Sequence, residues 1–325
     1  MPLSADVIPL IRILADGQFH SGESLGEALG ITRAAIWKRL QALTGLGLDV
    51  ESIKGRGYRL EGGLQLLDEE RIKTALSSEA RRHLATLFCL QEVDSTNQFL
   101  MSADARCGDV CLAERQSAGR GRRGRTWISP YAQNIYLSIR WGYEQGVAAL
   151  EGLSLAVGVI LLEVLRDSFG LAGLNLKWPN DVLLNGKKLG GILIEVGGDL
   201  TGECYVVVGV GLNLNMNPHV AKEEINQPWI DLQQASVAVD RNHLCALMIS
   251  QLLPALKRFP EKGFDLYRER WLQNAAYLNQ WVVLSTPADS ERGILRGVDH
   301  SGSLLVEVEA GVRVFCGGEL SVRSA

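Results

Sequence analysis

Residues 116 to 127 read Gln-Ser-Ala-Gly-Arg-Gly-Arg-Arg-Gly-Arg-Thr-Trp. Between Arg115 and Arg125 there are five arginines and no acidic residue, and glycines occupy positions 119, 121 and 124. Glycine lets a backbone approach a ligand closely, and each guanidinium can donate paired hydrogen bonds to a carboxylate or phosphate. The pattern predicts an anion-binding segment, called here the arginine loop (residues 115–127). Because its charges repel one another and it has little apolar surface, we expect it to be mobile until an anion orders it.

The three glycines also satisfy the dinucleotide-binding pattern G-x-G-x-x-G. That pattern requires a preceding strand, a following helix and an acidic residue about 20 positions later. The segment that follows, Thr126-Trp-Ile-Ser-Pro130, cannot open a helix with apolar periodicity. The sequence therefore disfavours a dinucleotide site, but on these residues alone a solvated basic loop or a nucleic-acid patch stays open.

The overall composition bounds the class of protein. A chain of 325 residues predicts two or three domains, and 46% hydrophobic with 22% charged residues is typical of globular proteins. A net charge of -4 requires any DNA contact to come from a local basic patch. No apolar run reaches membrane length, the longest being residues 155–162, and no signal segment is evident, so we expect a cytoplasmic protein with no membrane partner.

The six cysteines are scattered without a C-x-x-C pair or a partnering histidine spacing. This distribution predicts free thiols rather than a zinc site or a disulfide framework. The sequence predicts no metal held by the protein alone. We expect any magnesium to arrive with a phosphate ligand.

Residues 1–64 predict a winged helix-turn-helix. Ser21 and Thr32 can cap two helices that follow a first amphipathic helix, and two short strands around residues 54–57 predict a wing with a basic tip. The predicted core faces are Val7, Leu10, Ile11 and Leu14 in the first helix, Leu25, Ala28 and Leu29 in the second, and Ile36, Leu40 and Leu43 in the third.

Charge divides this unit into an acidic and a basic half. Residues 1–30 contain one arginine and four acids, whereas residues 31–60 contain six Lys or Arg and two acids. The positive end is the third helix with the wing, where DNA phosphates would lie, although a domain that contacts only protein stays open. The candidate DNA-binding residues are Thr32, Arg33, Ala34, Trp37, Lys38, Gln41, Lys54 and Arg56.

Residues 65–275 predict a larger α/β unit. Ser95 or Thr96 can cap a helix after a short strand that ends near Val93, residues 135–141 predict a strand, and residues 153–169 predict a mostly buried helix. Asn185-Gly186 predicts a two-residue hairpin that folds Lys188 back toward residues 180 and 181. In residues 276–325, short β-rich segments recur every 8 to 12 residues, which predicts a small barrel.

Five motifs taken together resemble, in order, those of the biotin protein ligases. They are residues 94–97, 116–127, 177–181 (Lys-Trp-Pro-Asn-Asp), 188–192 and 211–213. With the helix-turn-helix in front, the chain resembles the members that also repress the biotin operon. This resemblance implies an α+β multidomain fold: a winged helix-turn-helix at 1–64, a mixed α/β ligase domain similar to class II synthetases at 65–275, and an SH3-like β-barrel at 276–325.

The resemblance implies an activity in two steps. ATP and Mg²⁺ would activate biotin to biotinyl-5'-AMP with release of pyrophosphate, and a lysine of the biotin carboxyl carrier protein of acetyl-CoA carboxylase would then take the biotin. The sequence shows no nucleophilic Ser or Cys arrangement, so no covalent enzyme intermediate is expected. The adenylate would also act as corepressor, so that a ligand-dependent homodimer binds the operator DNA of biotin synthesis genes.

The resemblance also assigns residues. Lys177, Arg120 and Arg122 are the candidate catalytic cations. The candidate biotin-binding residues are Ser95, Thr96, Asn97, Gln116, Arg120, Gly121, Arg122 and Lys177. The candidate adenylate-binding residues are Arg122, Arg123, Arg125, Trp127, Asn180, Lys188, Asn213 and Trp229. Asn180 or Asp181 is the candidate to hold the magnesium that binds with ATP.

Two other functions stay open at this point. A ligase for lipoate or another carboxylic acid would share a lysine and a hairpin, but it has less need of four loop arginines. A non-catalytic, biotin-sensing transcription repressor would bind its ligand in the large domain without releasing pyrophosphate.

Overall fold

The computed structural model describes residues 3–199, 201–216, 225, 227–285, 290–316 and 321–324. Within them, strands form a two-stranded, a seven-stranded and a five-stranded sheet, in that order along the chain. The predicted fold class, a helix-turn-helix unit followed by a mixed α/β unit and a small β unit, is confirmed. The domain boundaries at 64/65 and 275/276 stay predictions.

The N-terminal elements are α1 (Ile8–Leu14), α2 (Gly22–Leu29), α3 (Arg33–Thr44), β1 (Val50–Ile53) and β2 (Gly57–Leu60). Both predicted caps are confirmed, because Ser21 Oγ accepts from the Ser24 amide at 3.0 Å and Thr32 Oγ1 accepts from the Ala35 amide at 3.3 Å. β1 and β2 pair antiparallel as the predicted wing. The predicted core residues are buried except two of α2: Ala28 is exposed and Leu29 half-buried. A two-turn helix packs only a narrow stripe of its surface against the core, and burying the single methyl group of an alanine adds little free energy.

The central elements are α4 (Glu69–Ala75), α5 (Ser78–His83), β3 (Leu87–Leu90), α6 (Thr96–Leu100), β4 (Val110–Ala113), β5 (Asn134–Tyr143), α7 (Leu153–Phe169), β6 (Leu174–Lys177), β7 (Asp181–Leu184), β8 (Lys187–Gly198), β9 (Cys204–Asn213), α8 (Arg241–Lys262) and α9 (Asp265–Gln273). The sheet order is β3-β4-β5-β9-β8-β7-β6, and only β3 and β4 pair in parallel. The predicted hairpin is confirmed by positive φ at Asn185 (51°) and Gly186 (76°). The strand expected to end near Val93 ends at Leu90.

Helix α7 explains the most apolar segment of the chain. Val147–Phe169 contains a window of mean hydropathy 2.1 and is long enough to cross a membrane, so the expectation that no run reaches that length was wrong for this segment. In the structure α7 packs on β6, β7 and β8 and against α8 and α9. Its Gly158 lies so close to the sheet that a Cβ atom there would be 3.3 Å from Leu176. Burial within the core therefore accounts for its apolar sequence.

The C-terminal strands are β10 (Trp281–Ser285), β11 (Ser290–Val298), β12 (Leu304–Val308), β13 (Gly311–Phe315) and β14 (Ser321–Ser324). They form an antiparallel sheet in the order β13-β12-β11-β10-β14, as expected of an SH3-like unit. The sequence did not predict β14 as a separate strand. A hydrogen bond from Trp178 Nε1 to the Gly302 carbonyl (3.0 Å) joins this unit to the central one.

A buried ion pair fixes the segment that follows the N-terminal unit to the central sheet. Glu114, directly after β4, pairs with Arg241 at the start of α8, and their side chains are 0% and 3% exposed. Glu114 also accepts from the Leu67 amide (2.6 Å), and Arg241 donates to the carbonyls of Gln65 and Asn134. The pair thus holds residues 65–67, which follow the wing, against the root of the arginine loop.

We expect Arg241→Ala to lower the free energy of unfolding by about 3 kcal/mol or more, because it leaves the Glu114 carboxylate buried without its cation. The matched control is Arg313→Ala, which removes an exposed pair with Glu291 and should cost at most about 1 kcal/mol. Chemical denaturation of both variants measures the difference. Equal losses would show that Glu114 does not depend on Arg241.

Candidate functional site

A cavity of about 510 Å³ lies against β7, β8 and β9, with the arginine loop over it. The structure brings together thirteen of the predicted residues in its wall: Ser95, Thr96, Asn97, Gln116, Arg120, Gly121, Arg122, Arg123, Arg125, Trp127, Lys177, Asn180 and Lys188. An adjoining cavity of about 480 Å³ shares Arg125, Trp127 and Lys188 and adds Asn213 and Trp229. The residues predicted to bind biotin and the residues predicted to bind the adenylate therefore surround two connected cavities.

Uncharged polar groups form the floor of the larger cavity. Thr96 donates to Gln116 Oε1 from its backbone amide (2.9 Å) and its hydroxyl (3.2 Å), and Ser95 caps α6 as predicted. Asn97, 3% exposed, accepts from the Ser138 hydroxyl at 2.6 Å and donates to Glu195 Oε2 at 2.8 Å. Because each buried group has a partner, the floor is rigid before any ligand binds.

Ser138 and Glu195 were missed by the sequence interpretation. Each is a polar residue between apolar neighbours in its strand, Ser138 in β5 and Glu195 in β8. That interruption was the only signal available, and it does not distinguish a site residue from a solvent-facing one.

The arginine loop is a short ladder closed by a turn. The Trp127 amide donates to the Gly119 carbonyl at 2.9 Å, and the Gly121 amide donates to the Arg125 carbonyl at 2.7 Å. A 3₁₀ turn at Arg122–Gly124 closes the ladder, with φ of 60° at Arg123. Gly119 is required sterically, since a Cβ atom there would lie 2.5 Å from the Trp127 carbonyl oxygen. The expected mobility of this loop without an anion stays a prediction.

The loop arginines point to different surroundings. Arg120 pairs with Glu195 at 2.8 Å, and Arg122 lies half-buried with Nη1 3.4 Å from Asn180 Oδ1. Arg123 and Arg125 also line the cavity and are exposed. Of the four loop guanidiniums in the cavity wall, that of Arg122 is half-buried and the other three are exposed.

Lys177 is held by a hairpin between β6 and β7. Its register partner is Asp181, and Lys177 Nζ lies 4.0 Å from that carboxylate. The predicted return of Lys188 is confirmed, with Nζ 2.7 Å from Asp181 Oδ1. The intervening turn is anchored by the Trp178 bond to the C-terminal unit and by a 3.0 Å bond from Ser154 Oγ to the Pro179 carbonyl. Lys177 is thus a cation on a rigid support.

The electrostatics of the larger cavity favour anions. Of the described residues in its wall, seven are Arg or Lys and one, Asp181, is acidic. Burial, reinforced by Lys188 and Arg125 and opposed by Asp181, lowers the pKa of Lys177. Burial and the neighbouring Arg123 lower the pKa of Arg122, although a guanidinium stays protonated at neutral pH. A bound carboxylate or phosphate would relieve this excess of positive charge.

The adjoining cavity is walled by indole rings and close backbone. Lys188 Nζ lies 5.4 Å from the centre of the Trp127 ring, and a Cβ atom at Gly211 would come within 2.4 Å of that ring. Trp229 is placed by bonds between its neighbours and Lys188, including the Ile230 amide to the Lys188 carbonyl at 3.0 Å. Asn213 Nδ2 donates to the Ile230 carbonyl at 3.2 Å, so in this structure its amide supports the Trp229 segment.

The residues near Asp181 can complete a magnesium site only in part. Among the described residues no three His, Cys, Asp or Glu side chains come together to hold a metal. Asp181 is the acid nearest the expected phosphates, and Lys188 already occupies one of its oxygens. Magnesium commonly takes one or two carboxylates and completes its shell with water and substrate phosphates, which this single acid fits.

The predicted DNA-binding residues all lie at the surface of the N-terminal unit. All eight (Thr32, Arg33, Ala34, Trp37, Lys38, Gln41, Lys54, Arg56) are exposed, and Trp37 is 59% exposed. The Arg56 guanidinium lies 4.2 Å from the centre of the Phe19 ring, which holds it at the wing. Arg39 instead pairs with Asp6 within the unit.

Comparison with known proteins agrees with this geometry. Residues 87–213 match the model of the biotin/lipoate A/B protein ligase family, and residues 9–59 match that of an HTH domain. The bifunctional ligase/repressor BirA of Salmonella typhimurium is 44% identical over 98% of each chain, and that of Escherichia coli is 43% identical over 98% of this chain and 97% of its own. A biotin protein ligase from Aquifex aeolicus, solved with biotin and ATP, superposes with a TM-score of 0.65 at 29% identity and covers 74% of this chain and all of its own. With such similarity along nearly its whole length, this chain belongs to the family of bifunctional biotin ligases and repressors.

Proposed function

We propose that this protein joins biotin to ATP to form biotinyl-5'-AMP, transfers the biotin to a lysine of a biotin carboxyl carrier protein, and represses biotin synthesis genes by binding their operator. The observation that carries the proposal is the cavity of seven cations and one acid above a neutral polar floor. The Aquifex relative of similar fold was solved with biotin and ATP. A site of this charge suits a reaction that brings two anions together.

The positive wall accounts for the first step. A carboxylate oxygen must approach the α-phosphorus of ATP, and the negative charge that builds on the phosphoryl oxygens opposes it. Lys177 and Arg122, both half-buried, face this space from a rigid hairpin and from the loop. Cations held in place cost little reorganisation when the charge develops, which makes them effective in a partly water-excluded site.

The neutral floor suits the other end of biotin, whose ureido group is polar but uncharged. Ser95, Thr96, Asn97 and Gln116 supply hydroxyl and amide groups there, and each is buried or half-buried. We assign these residues to the ureido ring, with Gly121 and Arg120 in the covering loop and Lys177 near the carboxylate. The cavity thus distinguishes the two ends of its substrate by charge.

The adjoining cavity would take the adenosine, with Trp127 and Trp229 against the base and Arg123 and Arg125 toward the phosphates. Magnesium, when bound with ATP, would offset the phosphate charge, and Asp181 and Asn180 are the residues placed to help hold it. Asn213 would act by supporting the Trp229 segment. The loop would cover the adenylate and slow its hydrolysis until an acceptor lysine attacks the activated carbonyl.

The adenylate formed in the first step would also regulate DNA binding. We propose that the adenylate-loaded form dimerises and then binds DNA through α3 and the wing, in the cytoplasm. The chain leaves the DNA-binding unit through residues 65–67, and the ion pair of Glu114 and Arg241 joins these residues to the root of the arginine loop. A change in loop order can therefore reach the DNA-binding unit.

We expect pyrophosphate release when the protein is mixed with ATP, magnesium and biotin, and none above background when lipoate replaces biotin. Lys177→Gln should slow release at least about 100-fold, because one preorganised cation is lost where charge develops. Lys257→Gln, an exposed lysine of α8, is the control. Release with lipoate alone would make this a lipoate ligase, and binding of biotin without release would make it a sensor.

We also expect the affinity for biotin to fall as pH rises from about 7 to about 10. The lowered pKa of Lys177 means that its charge is lost below the ordinary lysine value of about 10.4. The bound carboxylate favours the protonated amine, so deprotonation weakens binding. Calorimetric titration across this range measures the effect. In Lys177→Gln binding should be weaker and nearly independent of pH; an equal dependence in the variant would exclude Lys177 as its source.

For DNA binding we expect Lys54→Ala and Arg56→Ala each to weaken binding to duplex DNA and to reduce the slope of log affinity against log salt by about 1. Each substitution removes one phosphate contact of the wing. Fluorescence anisotropy over a salt series measures the slope, with Lys257→Ala as the control. Unchanged slopes in both variants would show that the wing does not contact the backbone.

A further inference from the structure

Glu195 joins the outer part of the arginine loop to the cavity floor through side chains. Its Oε2 atom accepts from Arg120 Nη2 and from Asn97 Nδ2, both at 2.8 Å. Arg120 belongs to the loop, whereas Asn97 is the buried first turn of α6. One carboxylate oxygen therefore accepts hydrogen bonds from the arginine loop and from the cavity floor at the same time.

The floor side of this contact cannot shift. Asn97 Nδ2 also donates to the Leu193 carbonyl (3.2 Å), and its Oδ1 accepts from Ser138. A Cβ atom at Gly209 would come within 2.2 Å of Asn97 Oδ1, so the amide fills the space beside β9 completely. Asn97 thus fixes the Glu195 carboxylate, and the freedom of the contact resides in Arg120.

On the loop side, few side chains attach the arginine loop to the rest of the protein. The ladder of the loop pairs its two strands with each other, and Arg120 lies in the first of them, opposite Thr126 and before the 3₁₀ turn. Gln116 anchors the root of the loop through Thr96 and through Ser129 Oγ (3.1 Å). Between the root of the loop and the 3₁₀ turn, Arg120 forms an ion pair with Glu195 of the sheet. Glu195 therefore sets how firmly the arginine loop is held over the cavity.

We infer that Glu195 is a positioning residue that holds the arginine loop over the activated intermediate, by fixing Arg120 to the cavity floor. This inference rests on the proposed function, since it assumes that an adenylate forms beneath the loop. Glu195 supplies no group to the reaction. It governs how long the adenylate stays covered, and hence whether biotin passes to an acceptor lysine or is lost to water.

The test measures pyrophosphate release without an acceptor protein. The wild type should show a burst of about one equivalent followed by a slow steady rate, which reports loss of the adenylate. In Glu195→Gln we expect the burst to be unchanged and the steady rate to rise about fivefold, as befits a partly exposed ion pair. The Michaelis constant for biotin should stay within about twofold, because the amide oxygen can still accept from Asn97.

The chain offers a matched control in Glu163→Gln. Glu163 pairs with Arg270 at 3.0 Å, and the exposed fractions of that pair (Arg 39%, Glu 25%) nearly equal those of Arg120 and Glu195 (38% and 26%). This variant should leave both phases unchanged. Arg120→Gln should raise the steady rate as Glu195→Gln does, and the double variant should add nothing further.

A steady rate that is unchanged or slower in Glu195→Gln would overturn the inference. So would an equal rise in Glu163→Gln, since general loosening would then explain the effect. Glu195→Ala should in addition raise the Michaelis constant for biotin, because Asn97 loses its acceptor; denaturation midpoints of all variants identify any that fail to fold. Absence of a burst in the wild type would overturn the proposed function itself.

Discussion

The structure depends on holding several positive charges close together. Seven cations and one carboxylate line the larger cavity, and the desolvated Lys177 has a lowered pKa. Mutual repulsion would separate such groups on a flexible chain. Here a hairpin, a rigid turn and a buried helix hold Lys177, while Asp181 offsets part of the charge.

The contacts that hold these charges in place come from the central unit and from the C-terminal unit. The turn that follows Lys177 is anchored by Ser154 at the start of α7 and by the Gly302 carbonyl of the C-terminal unit. The root of the arginine loop continues from Glu114, whose partner Arg241 starts α8. The stability of the core is thus used to keep a few side chains in an electrostatically unfavourable arrangement that a bound anion relieves.

The same construction joins the arginine loop to the segment that follows the wing. The arginine loop begins directly after Glu114, and the Glu114 carboxylate accepts from the Leu67 amide of that segment. A buried ion pair, and not the backbone alone, therefore joins the root of the arginine loop to the residues that follow the DNA-binding unit.

The sequence by itself determined the local elements and the residue classes of the site. Caps at Ser21 and Thr32, the hairpin at Asn185-Gly186 and the loop between Gln116 and Trp127 depend on short-range chemistry, which a sequence states directly. Membership of the family also followed from ordered motifs, and the comparisons confirm it. The helices α4 and α5, the strand β14 and the exposure of Ala28 were not predicted, since packing rather than local pattern decides them.

Only the tertiary structure decided the hydrogen-bond and ion-pair partners of polar residues that stand between apolar neighbours in a strand. Glu195 and Ser138 look like ordinary strand residues until β8 and β5 bring them to Asn97, and Glu114 is unremarkable until α8 places Arg241 beside it. These contacts join residues 41 to 127 positions apart along the chain. A sequence states which charges are present, but pairing of buried charges depends on distances that exist only after the sheet and helices have packed.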